Sequence, residues 1–252
     1  MQSDKNINTN LASQSYWDEA YAGYSLQDKV ADDDIVKKWL LKYIPKVNGA
    51  SCMEIGCFPG RYLTVMGDLG YKLSGIDLTP RVKNEFPAWL KKEGYDVGSF
   101  SQEDFLKFNP QEKYDMVCSF GFIEHFTNWQ EVFLKHIELV NDNGYLVIET
   151  PNFRGWFQRF IHWFLDNENY KRHYIPSMNP DKWAKLCEKH GFEIIFKGHI
   201  GEFQFWVDKL PTTYVRTKVF NRLITNYEKL KSMKPGKPAY APYCGIIARK
   251  KK

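Results

Sequence analysis

Cysteine is scarce in this chain and badly placed for bridging: five residues, an odd number, without framework spacing. A disulfide-stapled secreted scaffold is excluded, and Cys52, Cys118 and Cys244 sit in apolar runs that read as strands, so buried reduced thiols are expected. No apolar run approaches the roughly 20 residues that span a bilayer. The opening stretch MQSDKNINTNLASQ lacks the basic and apolar regions of a signal peptide, so a cytoplasmic protein is expected. No histidine or cysteine spacing matches a zinc-binding pattern, and no metal is expected from it. Excess charge is also missing: 35 basic against 30 acidic residues leave +5, part of it in the terminal run Ala248 to Lys252. Such a tail is a solvated end rather than a nucleic-acid footprint, and no nucleic-acid partner is expected.

What is present is enough apolar material, 43% of 252 residues, for one sizeable core and a single elaborated domain. Ile35, Val36, Trp39, Leu40 and Tyr43 recur at helical spacing before the strand SCMEIGC. A short helix from Gly60 to Leu69, the strand KLSGIDL, a helix through Val82, Phe86 and Leu90, and a strand near Val97 follow. YDMVCSFGFI then leads to an amphipathic helix carrying Trp129, Val132, Phe133, Ile137 and Val140, then the stretch NDNG and the strand GYLVIET. This alternation predicts an α/β fold with a parallel sheet and helices on both faces. After Pro151 the pattern changes. Residues 153–178 are crowded with aromatics, and 201–242 carry a long helical pattern through Val219, Leu223, Tyr227 and Leu230. Both read as insertions around the end of the sheet, formed by 179–200 and 243–252. Residues 1–33 read as an N-terminal arm and 34–152 as a cofactor-binding core.

In CMEIGCFPGRYL, Gly56 and Gly60 bracket the turn from a buried strand into a helix. That arrangement sets backbone N–H groups and a bare Cα surface against a ligand at the carboxyl edge of a sheet. The next strand ends in Asp77, about 20 residues beyond the first glycine, where a carboxylate can accept from both hydroxyls of a ribose. A nucleoside is the expected occupant; a tight turn with Asp77 capping the next helix is the alternative. Dinucleotides and S-adenosylmethionine share this sheet edge. Phe58 stands where a middle glycine would let a pyrophosphate reach the backbone, so no dinucleotide cradle is evident.

The segments EIGCFPGRYLTVMGDLGYKLSGIDLT, YDMVCSFGFIEHF and NGYLVIETPN, in this order, resemble the class I S-adenosylmethionine-dependent methyltransferases, in particular the small-molecule branch with the ubiquinone-type enzymes. The resemblance implies a Rossmann-like, mostly parallel seven-stranded sheet with an antiparallel last strand, CGIIARK. It also implies cofactor-binding roles for Glu54, Gly56 and Gly60 beside the methionine part, Asp77 and Leu78 at the ribose, Asp104 and Phe105 at the adenine, and Phe120 and Gly121 beneath the sulfonium. SYWDEAYAGY resembles the segment that closes over the cofactor in such enzymes, with Tyr16, Trp17 and Tyr21 as candidates; an aromatic staple holding the arm on the core is the other reading.

Methyl transfer needs donor, methyl and nucleophile held in line and water excluded, a task suited to aromatic walls around a sulfonium. His125, after the fourth strand, is the candidate base for a hydroxyl acceptor, and His173 a second candidate; a structural hydrogen-bonding histidine is the plainer alternative. The two insertions are expected to bind the acceptor. Trp156, Phe157, Phe160, Trp163 and Phe164 would line a pocket, pack under a lid or touch a membrane surface peripherally. The expected activity is methyl transfer to a small molecule or a glycan- or lipid-linked intermediate, at oxygen in preference to nitrogen. SFGFIEHF lacks the Asn/Asp-Pro-Pro-aromatic motif expected for exocyclic amines. A nicotinamide oxidoreductase and a catalytically silent cofactor-binding subunit are the rivals.

Overall fold

The structure is a computed structural model that describes residues 10–26, 29–109 and 112–252; the start of the N-terminal arm, 1–9, lies outside them. Helices α1 (Gln14–Tyr21) and α2 (Ile35–Tyr43) precede strand β1 (Ser51–Ile55). Then come α3 (Leu63–Asp68), β2 (Lys72–Asp77), α4 (Glu85–Lys92), β3 (Val97–Gln102), β4 (Tyr114–Phe120), α5 (Trp129–Glu138) and β5 (Val140–Pro151). The remaining elements are α6 (Trp156–Leu165), α7 (Asn167–Lys171), α8 (Pro180–Lys189), β6 (Phe192–Ile200), α9 (Tyr214–Thr225), α10 (Tyr227–Lys231) and β7 (Tyr243–Lys250). The seven strands form one sheet in the order β3-β2-β1-β4-β5-β7-β6. Pairings from β3 to β5 are parallel, and β7 runs antiparallel between β5 and β6.

The period-2 alternation of each strand divides the core into two layers. Cys52, Leu73, Met116, Cys118 and Val147 face α2, α3 and α4. Met53, Ile55, Ile76, Val117, Leu146 and Ile148 face α5 and α8, where Trp183 is fully buried. All five cysteines are free and buried, three of them in β1, β4 and β7. Among the described residues, no helix is long and apolar enough to cross a membrane.

Three local expectations change. The strand expected from Gly144 already begins at Val140, a residue expected in the preceding helix, so NDNG lies within β5, where the register shifts between Tyr114 and Met116 and Asn143 takes φ 63°. The helix expected from Gly60 begins at Leu63, because Gly60 itself has φ 78°. The long helical pattern of the second insertion breaks at Asn226, whose side-chain amide donates to the Arg222 carbonyl at 2.8 Å and competes with the helical ladder.

Asp34 starts α2 and ties it to the turn after β1. One carboxylate oxygen accepts from Lys37 N at 2.9 Å, and the other from Arg61 at 2.9 Å. Asp34→Ala is expected to cost about 1 kcal/mol, the usual value of an N-cap. A urea melt with an unchanged midpoint would contradict the capping role.

Candidate active site

The carboxyl ends of β1, β2 and β4 open into a cavity of about 570 Å³, roofed by the N-terminal arm. The opening lies where the chain leaves β1 for one side of the sheet and β4 for the other, the crevice at which open α/β sheets take ligands. The volume suits one nucleoside-sized ligand with part of a second molecule. Glu54, Gly56, Gly60, Asp77, Leu78, Asp104, Phe105, Phe120, Gly121, Tyr21 and His125 all line it, as do Trp17 and Phe58.

The two glycines line the cavity and are also required by the packing around them. Both have positive φ, 69° at Gly56 and 78° at Gly60. A Cβ on Gly56 would stand 2.6 Å from the Phe122 ring, and one on Gly60 would stand 2.0 Å from the Phe86 ring. Aromatic side chains, rather than a ligand alone, occupy the space that these glycines leave. Phe58 follows the first of them and is itself boxed in, edge-on to Tyr21, Tyr24 and Phe86, with the Arg81 guanidinium 4.6 Å above its ring.

Asp77 stands at the cavity and braces the turn after β1 instead of capping the next helix, whose N-cap position is Thr79. It lines the cavity, while its oxygens accept from Phe58 N at 3.1 Å and Thr79 N at 3.0 Å. Each carboxylate oxygen keeps further acceptor capacity for a ligand. Burial raises its pKa and these backbone donors oppose the rise. Glu54, fully buried at the end of β1, is raised well above the ordinary carboxyl range, first by burial and then by the Asp77 charge. One of its oxygens has no hydrogen-bond partner. Asp104 turns one oxygen to Leu106 N at 2.9 Å.

The arm is held closed by its backbone. Arg81 donates to the carbonyls of Tyr21 and Tyr24, each at 3.0 Å, and Leu11 N donates to the His125 carbonyl at 2.7 Å. On α1, Trp17 and Tyr21 stack at 5.7 Å over the cavity. Tyr16, expected beside them, does not line it. Its ring lies under Arg172 at 3.9 Å and its hydroxyl donates to Asp208, so it clasps the arm to the two insertions. Burial and the Asp208 charge raise the Tyr16 pKa.

At the other end of the cavity, a short 3-10 turn, Ile123–His125, follows β4. His125 Nδ1 donates to the Arg172 carbonyl at 2.8 Å, which leaves Nε2 as the lone-pair nitrogen. Burial pushes its pKa down to about 4, so the ring is neutral near pH 7 and does not titrate in the range expected from its type. His173 does not line the cavity. It lies behind His125 at a ring distance of 4.8 Å, its Nδ1 donating to the Asn169 carbonyl at 2.7 Å.

The insertions do not supply the cavity lining; among the described residues, none from 153–178 or 201–242 reaches it. They pack instead on one another, with Ile161, Leu165 and Phe203 as a buried centre and Phe157, Val219 and Leu223 around it. Trp156 and Trp163 stay outside this packing, 70% and 53% exposed. Arg61, Tyr62, Phe122 and Phe126 also line the cavity and carried no signal of their own: Arg61 and Tyr62 lie in the quoted turn, and Phe122 and Phe126 beside His125.

A family model described as a methyltransferase domain matches residues 27–196, and the chain belongs to that family, the S-adenosylmethionine-dependent methyltransferases. Ubiquinone biosynthesis O-methyltransferase from Rickettsia canadensis is 25% identical over 100 residues, 40% of this chain. That match spans 42% of the relative's length, less than half. Among solved structures, a putative methyltransferase from Bacillus halodurans C-125 superposes with a TM-score of 0.56 at 16% identity, covering 86% of this chain and 99% of the other. Magnesium protoporphyrin IX methyltransferase from Synechocystis PCC 6803, with bound SAM, gives 0.54 at 14% identity over 95% and 93% of the two chains. These likenesses show the shared fold.

Proposed function

We propose that the chain transfers the methyl group of S-adenosylmethionine to an oxygen of a small molecule or of a glycan- or lipid-linked intermediate. The observation that carries this reading is the division of the cavity. Glu54, Asp77 and Asp104 gather at the β1–β2–β3 side, where a nucleoside with an amino-acid tail would be held. Phe120, Gly121 and His125 form the wall at the β4 end. The cofactor supplies the electrophilic methyl carbon when bound. The protein's part is to orient it, to exclude water with Trp17, Tyr21 and Phe58, and to hold the acceptor against the β4 end, with His125 at the wall and His173 positioning it from behind. Oxygen is favoured over an exocyclic amine because β4 runs into Ser119-Phe120-Gly121-Phe122. The curated relative's name, an O-methyltransferase, points the same way. The exposed Trp156 and Trp163 favour a lipid-linked form of the acceptor.

The test is a cell extract incubated with the protein and carbon-labelled methyl donor, the product being identified by mass spectrometry and its methyl group by NMR. A labelled methoxyl is expected. Label found on nitrogen or carbon would overturn the oxygen assignment.

Glu54 gives a separate prediction. A cationic amino group placed beside this carboxyl favours its charged form, so cofactor binding near neutral pH is expected to release a proton. Binding enthalpies in phosphate and Tris should therefore differ, and the difference should vanish in Glu54→Gln; equal enthalpies in the parent protein would refute it. The sign for stability follows from the same shift. A folded-state pKa above the unfolded one means that the native state binds the extra proton, so the ligand-free fold loses stability as pH rises above the ordinary carboxyl range. Glu54→Gln should flatten that loss.

A further inference from the structure

We infer that Glu124, His125 and His173 form a site for a divalent first-row transition ion of the zinc class, set behind the cavity wall at the acceptor end. Three observations converge on it. One ligand atom from each residue lies within 4.8 Å of the others, and His125 Nε2 is 4.0 Å from Glu124 Oε1. Tetrahedral ligands at ~2.1 Å from one ion stand ~3.4 Å apart, so the side chains draw in by up to about 1.4 Å when the ion binds. Both imidazoles give Nδ1–H to a backbone carbonyl, of Arg172 and of Asn169, the outer bond that fixes a ligating histidine and leaves Nε2 for the ion.

The third observation is independent of the histidines. Glu124 is fully buried, and neither carboxylate oxygen has a hydrogen-bond partner. Leaving such a group unpaired is costly, and a cation is a partner that compensates it. The neighbouring guanidinium of Arg172 does not serve, being paired with Asp208. The two ligand-bearing segments are joined directly, Tyr174 N donating to the Glu124 carbonyl at 2.6 Å, and Phe153 packs 4.7 Å from the His173 ring. Two histidines and one carboxylate form a donor set that leaves a coordination position open. Because His125 lines the cavity, a hydroxyl oxygen of the acceptor is the class of ligand for that position. This last statement rests on the proposed function, whereas ion binding itself does not.

Tag-free protein, stripped with chelator, is titrated with cobalt(II) and followed by visible absorption. X-ray absorption of the zinc-loaded parent protein then reports the ligands. One equivalent of cobalt with ligand-field bands, and imidazole scattering around zinc, are expected. Glu124→Gln and His173→Gln should each weaken cobalt binding by more than about a hundredfold, beyond what loss of an outer partner costs. S-adenosylhomocysteine titration monitors their fold, and it fails separately if the methyltransferase reading is wrong. The proposal is overturned if folded parent protein binds no cobalt, if the zinc it binds shows no imidazole scattering, or if variants that still take the nucleoside keep full cobalt affinity. Should both variants fail to fold, the absorption spectra of the parent protein decide.

Discussion

Asp77→Ala is expected to lose about tenfold to hundredfold in affinity for S-adenosylhomocysteine. Removing hydrogen bonds to a charged acceptor costs roughly 1.5–3 kcal/mol, which converts to that range. The structure adds a second effect. The same carboxylate receives the N–H groups of Phe58 and Thr79, so the alanine variant also loosens the turn between β1 and α3 and should melt earlier than the parent. Asp77→Asn separates the two contributions. Its amide oxygen can take one backbone N–H, but it cannot accept from both ribose hydroxyls as well, so it should recover stability more fully than affinity. Calorimetric titration of both variants, with a thermal melt of each, checks this. Unchanged affinity in a folded Asp77→Ala protein would remove Asp77 from the ribose.

Gly60→Ala is expected to produce a large loss of stability from a single methyl group. The new Cβ would sit 2.0 Å from Phe86 Cζ, in a ring that is fully buried and in contact with Phe58, Trp89 and Phe100. Overpacking of this kind costs about 1–3 kcal/mol, and a left-handed non-glycine residue a further 1–2 kcal/mol or so. The clash has a partial remedy. Phe86→Leu in the Gly60→Ala background should relieve the steric part while leaving the backbone part. Denaturant melts of the single and double variants should therefore show a negative coupling, with the double variant less damaged than the two single losses sum to. Strict additivity would mean that Phe86 is not what Gly60 makes room for.

These two residues mark how far the sequence can be read. Asp77 was legible because its spacing from Gly56, its place at the end of a strand and the alternating pattern agree, and all three are local. That Gly60 must be glycine was legible; that Phe86, a helix and a strand away, is the reason was not. In the arm, Tyr16 and Trp17 are adjacent and chemically alike, and α1 has no fully buried position to fix its inward face. Only the Arg172–Asp208 pair decides that Tyr16 turns to the insertions while Trp17 turns to the cavity. The parallel sheet and the antiparallel last strand followed from alternation and resemblance, whereas the strand order rests on pairings between segments far apart in sequence.

The packing of the insertions was not legible for a physical reason. Their rings were read as lining a pocket, packing under a lid or touching a membrane surface, and an aromatic count alone does not reveal that Phe157, Phe203 and Leu223 pack on one another in a satellite core. His125 and His173 were legible as candidates for one cleft, but their junction with Glu124 was not. His173 is remote in sequence and joins the others only because the segment after α7 returns to the end of β4.

The most direct test of the account is calorimetric titration of the full chain with S-adenosylhomocysteine and, separately, with NAD. The account predicts saturable, one-to-one binding of S-adenosylhomocysteine, weakened in Asp77→Ala, and no response to NAD. Saturable binding of NAD with no response to S-adenosylhomocysteine would contradict it.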